Sequence, residues 1–161
     1  DEANETRNST DSHFPLYVDV KGMPVLVVGG GKIAMRRAGV LRNFQCRITV
    51  VAKEVKSETD LEGMKVFERP FEETDLDGAK MVIAATDDEV LNARIGALCK
   101  ERKIPVNVVS DKTLCDFYFP GIVRKENVTV GIIAGGRDHK KAAKVRERIE
   151  RLLHEEESDC R

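Results

Sequence analysis

The segment "VLVVGGGKIAMRRAGVL", residues 25–41, constrains the fold more than any other part of this chain. A short uninterrupted apolar run suits a strand buried on both faces. It leads into three consecutive glycines, Gly29, Gly30 and Gly31. Beyond them Ile33, Ala34, Ala38, Leu41 and Phe44 recur at the spacing of one helical face. Gly29, Gly31 and Ala34 form G-x-G-x-x-A at the junction of strand and helix. The first glycine of such a motif permits a tight turn. The second lets backbone N–H groups approach a pyrophosphate, and the third small residue lets helix and strand pack closely. The helix start adds partial positive charge. The segment therefore predicts a strand–turn–helix unit that receives a dinucleotide. The competing reading is a glycine-rich connection that binds nothing.

The rest of the chain repeats this alternation. Residues 25–28, 47–52, 81–85 and 106–109 are short runs rich in β-branched residues, and residues 65–68 make a weaker one. After Ala85, "TDDEVLNARIGALCKERKIP" carries an apolar stripe of Leu91, Ile95, Leu98 and Cys99 and stops at Pro105. Thr86 and Glu89 stand at capping-box spacing ahead of it. Strand, helix and strand in this order predict a doubly wound parallel α/β sheet. The pattern changes after Ser110. "LCDFYFPGIV" and "NVTVGIIAGG" read as extended segments with no helix between them, so they are expected to pair antiparallel around "RKEN". Asp138 then stands where it would cap a last helix, whose apolar face is Val145, Ile149, Leu152 and Leu153. With 161 residues, one domain and a small appendage are expected. The division is a flexible tail over 1–12, a nucleotide-binding domain over 13–111, and a two-strand-plus-helix unit over 112–161. That last unit is too small for much of a core of its own, so its apolar surface is expected to meet a partner chain or the first domain.

Composition excludes several classes. The chain carries 27 basic and 28 acidic residues, which gives no bulk attraction to nucleic acid or a membrane surface. No apolar run approaches the ~20 residues of a membrane span. The start lacks the order of a secretory signal. Asn4, Asn8 and Asn127 open glycosylation triplets, a pattern short enough to arise by chance. Cys46, Cys99, Cys115 and Cys160 include no C-x-x-C pair and no histidine at ligand spacing, so no metal site is expected. Cys46 and Cys99 fall in apolar settings as core thiols, which fits a reduced, cytoplasmic protein. His13, His139 and His154 are expected at the surface.

Around the glycine loop, the second strand ends in "VVAKE". The acid that usually holds the ribose hydroxyls is missing from the strand end. Lys53 and Glu54 follow instead, which leaves NAD and NADP open. Thr86 and Asp87 end the fourth strand, where a crevice ligand would lie; Thr86 also reads as a plain helix cap. Asn107 lies within the fifth strand, where a buried amide needs partners, and is expected to face the same crevice. Arg36 and Arg37 read first as a solvated helix face and second as cations for an acidic substrate. Phe117, Tyr118 and Phe119 read first as core and second as a platform for a flat ring.

Taken together, "FPLYVDVKGMPVLVVGGGKIA", "ITVVAKE", "VIAATDDEVLNARI", "VNVV", "CDFYFPGIVRKENVTVGI" and a "GG" before a helix resemble the precorrin-2 dehydrogenases of sirohaem synthesis. The pieces span about residues 14–150 in the right order. The resemblance implies a Rossmann-like domain followed by an α+β dimerisation unit, and a homodimer. It implies oxidation of precorrin-2 to sirohydrochlorin with NAD, some members also inserting iron as ferrochelatases. It places cofactor contacts at Lys32, Ile33, Lys53 and Glu54, beside Gly29, Gly30, Gly31, Thr86, Asp87 and Asn107 from the motif reading. It also implies a functional carboxylate directly after the "NVV" strand. Ser110 stands there and Asp111 follows, so this pair is the expected catalytic position, and the serine speaks against iron insertion. A tetrapyrrole with many carboxylates needs cations, and Arg137, His139 and Lys140 after "AGG" are the candidates. A non-catalytic nucleotide-sensing module is the alternative; it leaves "FPLYVDVKG" and "CDFYFP" without a purpose.

Overall fold

The structure, a computed structural model, describes residues 12–56, 60–135 and 138–159, with side chains in the last helix up to residue 155. The chain divides into two compact units, one of Val18–Phe119 and one that joins the described residues 12–17 to 120–159. The boundary falls after the aromatic run, later than the expected Asp111. Phe117 and Phe119 pack against the core of the first unit, and this holds the segment there. The expected tail lies outside the described residues except for Ser12, as do Asn4, Asn8, Arg137 and Cys160.

The first unit is a five-stranded parallel sheet of β1 (Pro24–Val28), β2 (Arg47–Ala52), β3 (Lys65–Glu68), β4 (Met81–Ala84) and β5 (Val106–Val108). The order is β3-β2-β1-β4-β5. Two helices flank it, α1 (Lys32–Asn43) and α2 (Glu89–Glu101). Side chains alternate between faces along a strand, and β1 uses both. Val25 and Val27 join Ala34, Met35 and Ala38 of α1. Leu26 and Val28 join Ile95 and Cys99 of α2. This is why the strand is apolar at every position, and each such side chain is worth roughly 1.5–3 kcal/mol when fully buried. Ala85 and Val109, read as strand residues, lie one step beyond β4 and β5, where their N–H groups still reach Val28 O and Ala84 O.

The cap of α2 differs from expectation. Asp88, not Thr86, is the N-cap, and its carboxylate accepts from Val90 N and Leu91 N. It stands at the spacing that reaches the second and third helical N–H groups. Its charge also suits the positive end of the helix better than a hydroxyl.

In the second unit, β6 (Gly121–Lys125) and β7 (Val128–Ile132) pair antiparallel around Glu126 and Asn127, followed by α3 (His139–Asp159). Asp138 caps α3 as expected, accepting from Lys141 N at 2.8 Å. The Tyr17 hydroxyl donates to Thr129 O at 3.0 Å. No helix among the described residues is long and apolar enough to cross a membrane.

Candidate functional site

Strand order reverses at β1, with β2 on one side and β4 on the other. In open α/β sheets the ligand crevice lies outside the carboxyl ends of the strands at such a point. The glycine loop follows β1 there, and its glycines differ in role. Gly29 has φ +124, and a Cβ on it would lie 2.2 Å from Ala85 O. A Cβ on Gly30 would lie 2.0 Å from Glu54 O. These two glycines are required by the protein's own backbone, which closes over them from β4 and from the segment after β2. Gly31 is required by neither: its φ is −80, and a Cβ would meet nothing within 4 Å.

Gly31 is the N-cap of α1 and brings no side chain to the first-turn N–H groups, and the first turn holds no acid. Those N–H groups have no acceptor within the helix, and the dipole end is uncompensated. Lys32 is exposed beside it. An open space at an uncapped, positively polarised helix start fits the pyrophosphate of a dinucleotide, and a side chain at 31 would fill it. Ala34, fully buried, is the small third residue. The motif spacing singled out Gly29 and Gly31 but missed that Gly30 is equally fixed, because Glu54 is distant in sequence.

Other expected contacts line the same end of the sheet. Lys53 and Glu54 are exposed directly after β2, and Ile33 keeps 46% of its surface exposed in the first turn of α1. Asp87 is exposed after β4. Thr86 is not the N-cap: its backbone N–H and its hydroxyl donate to Asn92 Oδ1 at 3.0 and 2.7 Å, and Asp88 N donates to its Oγ1 at 3.2 Å.

Asn92 is the residue that the sequence reading missed. It is fully buried in α2. Its Nδ2 donates to Thr86 O at 3.0 Å and to Ser110 Oγ at 3.2 Å. The available signal was an amide on the stripe that continues with Ile95, Gly96 and Cys99, three, four and seven residues on. An amide on a buried face needs partners.

Ser110 and Asp111 follow β5 and are exposed. Asp111 caps a single 3-10 turn, Lys112–Leu114. Its Oδ1 accepts from Thr113 N at 2.9 Å and from Thr113 Oγ1 at 2.6 Å. That fixes the carboxylate one residue away from the position the resemblance implies.

Two expectations change. Asn107 does not present its amide to the crevice. Its Oδ1 accepts from Arg37, and its Nδ2 donates to Phe117 O at 2.8 Å. Arg37 is not a solvated helix residue: it is half-buried, and its guanidinium lies 5.1 Å from the centre of the Phe119 ring. Its Nε is buried without a hydrogen-bond partner. Burial first, and then the charge of Arg36, push its pKa down. The reason is the helical period, which turns position 37 towards the last strand while 36 stays exposed. Arg37 and Asn107 thereby bind the aromatic segment to the sheet.

In the second unit His139 and Lys140 are exposed in the first turn of α3. The Asp138 carboxylate already occupies that helix start. Arg137 lies outside the described residues. Among the described residues no three His, Cys, Asp or Glu side chains are grouped to hold a metal ion.

Comparison with known proteins adds independent information. Residues 16–121 match a family model described as putative NAD(P)-binding. The chain is 44% identical over 139 residues to "Siroheme synthase" of Ectopseudomonas mendocina, covering 85% of this chain and 30% of that protein. It is 38% identical over 144 residues to "Siroheme synthase" of a Psychrobacter species, covering 87% and 30%. The chain thus spans about a third of the length of the curated relatives it matches. Among solved structures it resembles "SirC, precorrin-2 dehydrogenase", with a TM-score of 0.67 and 26% identity over 87% of this chain and 71% of that one.

Proposed function

The chain belongs to the putative NAD(P)-binding family, and from that premise we propose that it oxidises precorrin-2 to sirohydrochlorin, with NAD as hydride acceptor, in sirohaem synthesis. One observation carries this reading: the only unobstructed glycine of the loop, Gly31, opens an uncapped helix start at the reversal point of the sheet. The likeness to siroheme synthases and to a precorrin-2 dehydrogenase supports the choice of reaction.

Bound NAD supplies an acceptor for the hydride that precorrin-2 loses. The protein's share is positioning, which is most of what hydride transfer needs. The N–H groups at Gly31, Lys32 and Ile33 would hold the pyrophosphate. Lys53 and Glu54 after β2, and Thr86 and Asp87 after β4, are the residues that would hold the rest of the dinucleotide. Asp111, steadied by Thr113, takes the proton that leaves with the hydride, and Ser110 stands beside it. Arg137 and Lys140 supply positive charge for substrate carboxylates, and His139 offers a ring N–H between them. The working form is a cytoplasmic homodimer that covers the apolar residues Phe14, Leu16 and Leu152, all exposed in this chain.

The test is anaerobic. Purified chain, precorrin-2 generated in place and NAD are mixed, and NADH and the sirohydrochlorin spectrum are followed together. Stoichiometric appearance of both is expected. Gly31→Asp places a carboxylate against the pyrophosphate, so NADH binding and turnover should vanish while the thermal midpoint stays put. Unchanged NAD affinity in that variant breaks the assignment of the loop.

A further inference from the structure

The loop after β4 and the turn after β5 meet on a single buried side chain. Asn92 is fully buried. Its Oδ1 accepts two hydrogen bonds from Thr86, through the backbone N–H and the hydroxyl. Its Nδ2 spends one N–H on Thr86 O and the other on Ser110 Oγ. All four contacts lie between 2.7 and 3.2 Å. An amide has two donor hydrogens and two acceptor lone pairs, so Asn92 is used to capacity. The helix that carries it is fixed independently by Ile95 and Cys99 in the core, and its Asp88 cap donates a further N–H to Thr86 Oγ1 at 3.2 Å. Asn92 is therefore a rigid post to which two exposed loops are tied.

We infer that Asn92 is a positioning residue that couples the two loops, setting the crevice loop at Thr86 for the dinucleotide and the Ser110–Asp111 turn for the reaction at the same time. This rests on the proposed reading of those loops. Among the described residues Asn92 is the only side chain hydrogen-bonded to both Thr86 and Ser110. Asp111 adjoins Ser110, so a shift of Ser110 moves the carboxylate too. Alanine would leave the Thr86 N–H and carbonyl without their partners. An ionised aspartate would keep the acceptors and lose both donations.

The experiment is a double-substitution cycle on the full chain. NADH affinity is read by fluorescence, kcat and KM by turnover, and folding by thermal midpoint. Asn92→Asp is expected to weaken NADH binding by about tenfold, because Thr86 O loses its donor and faces a carboxylate oxygen instead, and to lower kcat as well. Ser110→Ala is expected to weaken NADH binding in the wild-type background and to have no further effect on it in an Asn92→Ala background, where position 92 has no group left to hold the Ser110 hydroxyl. Equal effects of Ser110→Ala in both backgrounds, or an Asn92→Asp protein that binds NADH normally, overturn the inference. If Asn92→Ala does not fold, Asn92→Asp is read by its pH profile, and an NADH affinity that does not recover at low pH overturns the inference. A pH profile separates positioning from general weakening. The carboxyl that Asn92→Asp introduces can donate again once it is protonated. NADH affinity in that variant should therefore recover as pH falls, while the wild type should not gain. A wild-type chain that binds NADH without making sirohydrochlorin sinks the proposed reaction but leaves the affinity cycle valid. A wild-type chain that binds no NADH sinks both.

Discussion

The two units of this chain have opposite relations to water. In Val18–Phe119 the sheet is covered on both faces, and every buried apolar residue among those described belongs to it except Val123. The other unit has a sheet of only two strands and one helix. It exposes Phe14 by 83%, Leu16 by 73%, Tyr17 by 73% and Leu152 by 56%. A two-stranded ribbon is marginal alone in water. The first unit thus carries its stability within itself, while the second gains from whatever covers it.

Matched substitutions test this contrast. The largest effect is expected from Ile83→Ala, at the centre of β4 and fully buried. Removing it should cost about 2–5 kcal/mol, read from urea unfolding. A loss under half of that would mean that the core repacks around the missing side chain.

An intermediate effect is expected from alkaline pH. Burial first, and then the charge of Asp116, raise the Cys99 thiol from 9.0 to about 11. A group whose pKa is raised by folding contributes stability fully present below its unfolded value and lost as pH rises towards its folded one. Stability of the first unit should therefore fall between pH ~9 and ~11. Cys99→Ala should flatten that fall, as seen in unfolding midpoints across the range. An identical slope in the variant assigns the alkaline loss to other groups.

The smallest effect is expected from Leu152→Ala on α3. At protein concentrations low enough to keep chains apart, it should change stability by less than about 0.5 kcal/mol. Sedimentation should show weaker self-association in the variant. A cost as large as that of Ile83→Ala in the separated chain would show that the second unit has a core of its own.

The alternation of strands and helices was legible because uninterrupted valine-rich runs and helical stripes are local patterns. The glycine loop was legible for the same reason. The cap of α2 was misread because Thr86 and Asp88 both suit a cap locally. What decides is that Asn92, one turn into the helix, takes the threonine hydroxyl. Arg37 was misread because its helix face looked solvated, and Asn107 and Phe119 lie far along the chain.

The sequence by itself determined the parallel sheet, its glycine-rich turn and the family likeness, since all three rest on neighbouring residues. Only the tertiary structure decided that Gly29 and Gly30 are closed by distant carbonyls while Gly31 stays open. Only it showed that Asn92 ties Thr86 to Ser110 and that the aromatic run belongs to the first unit. The physical reason is one: hydrogen bonds and close contacts between segments depend on strand order, and strand order is not written in any local pattern.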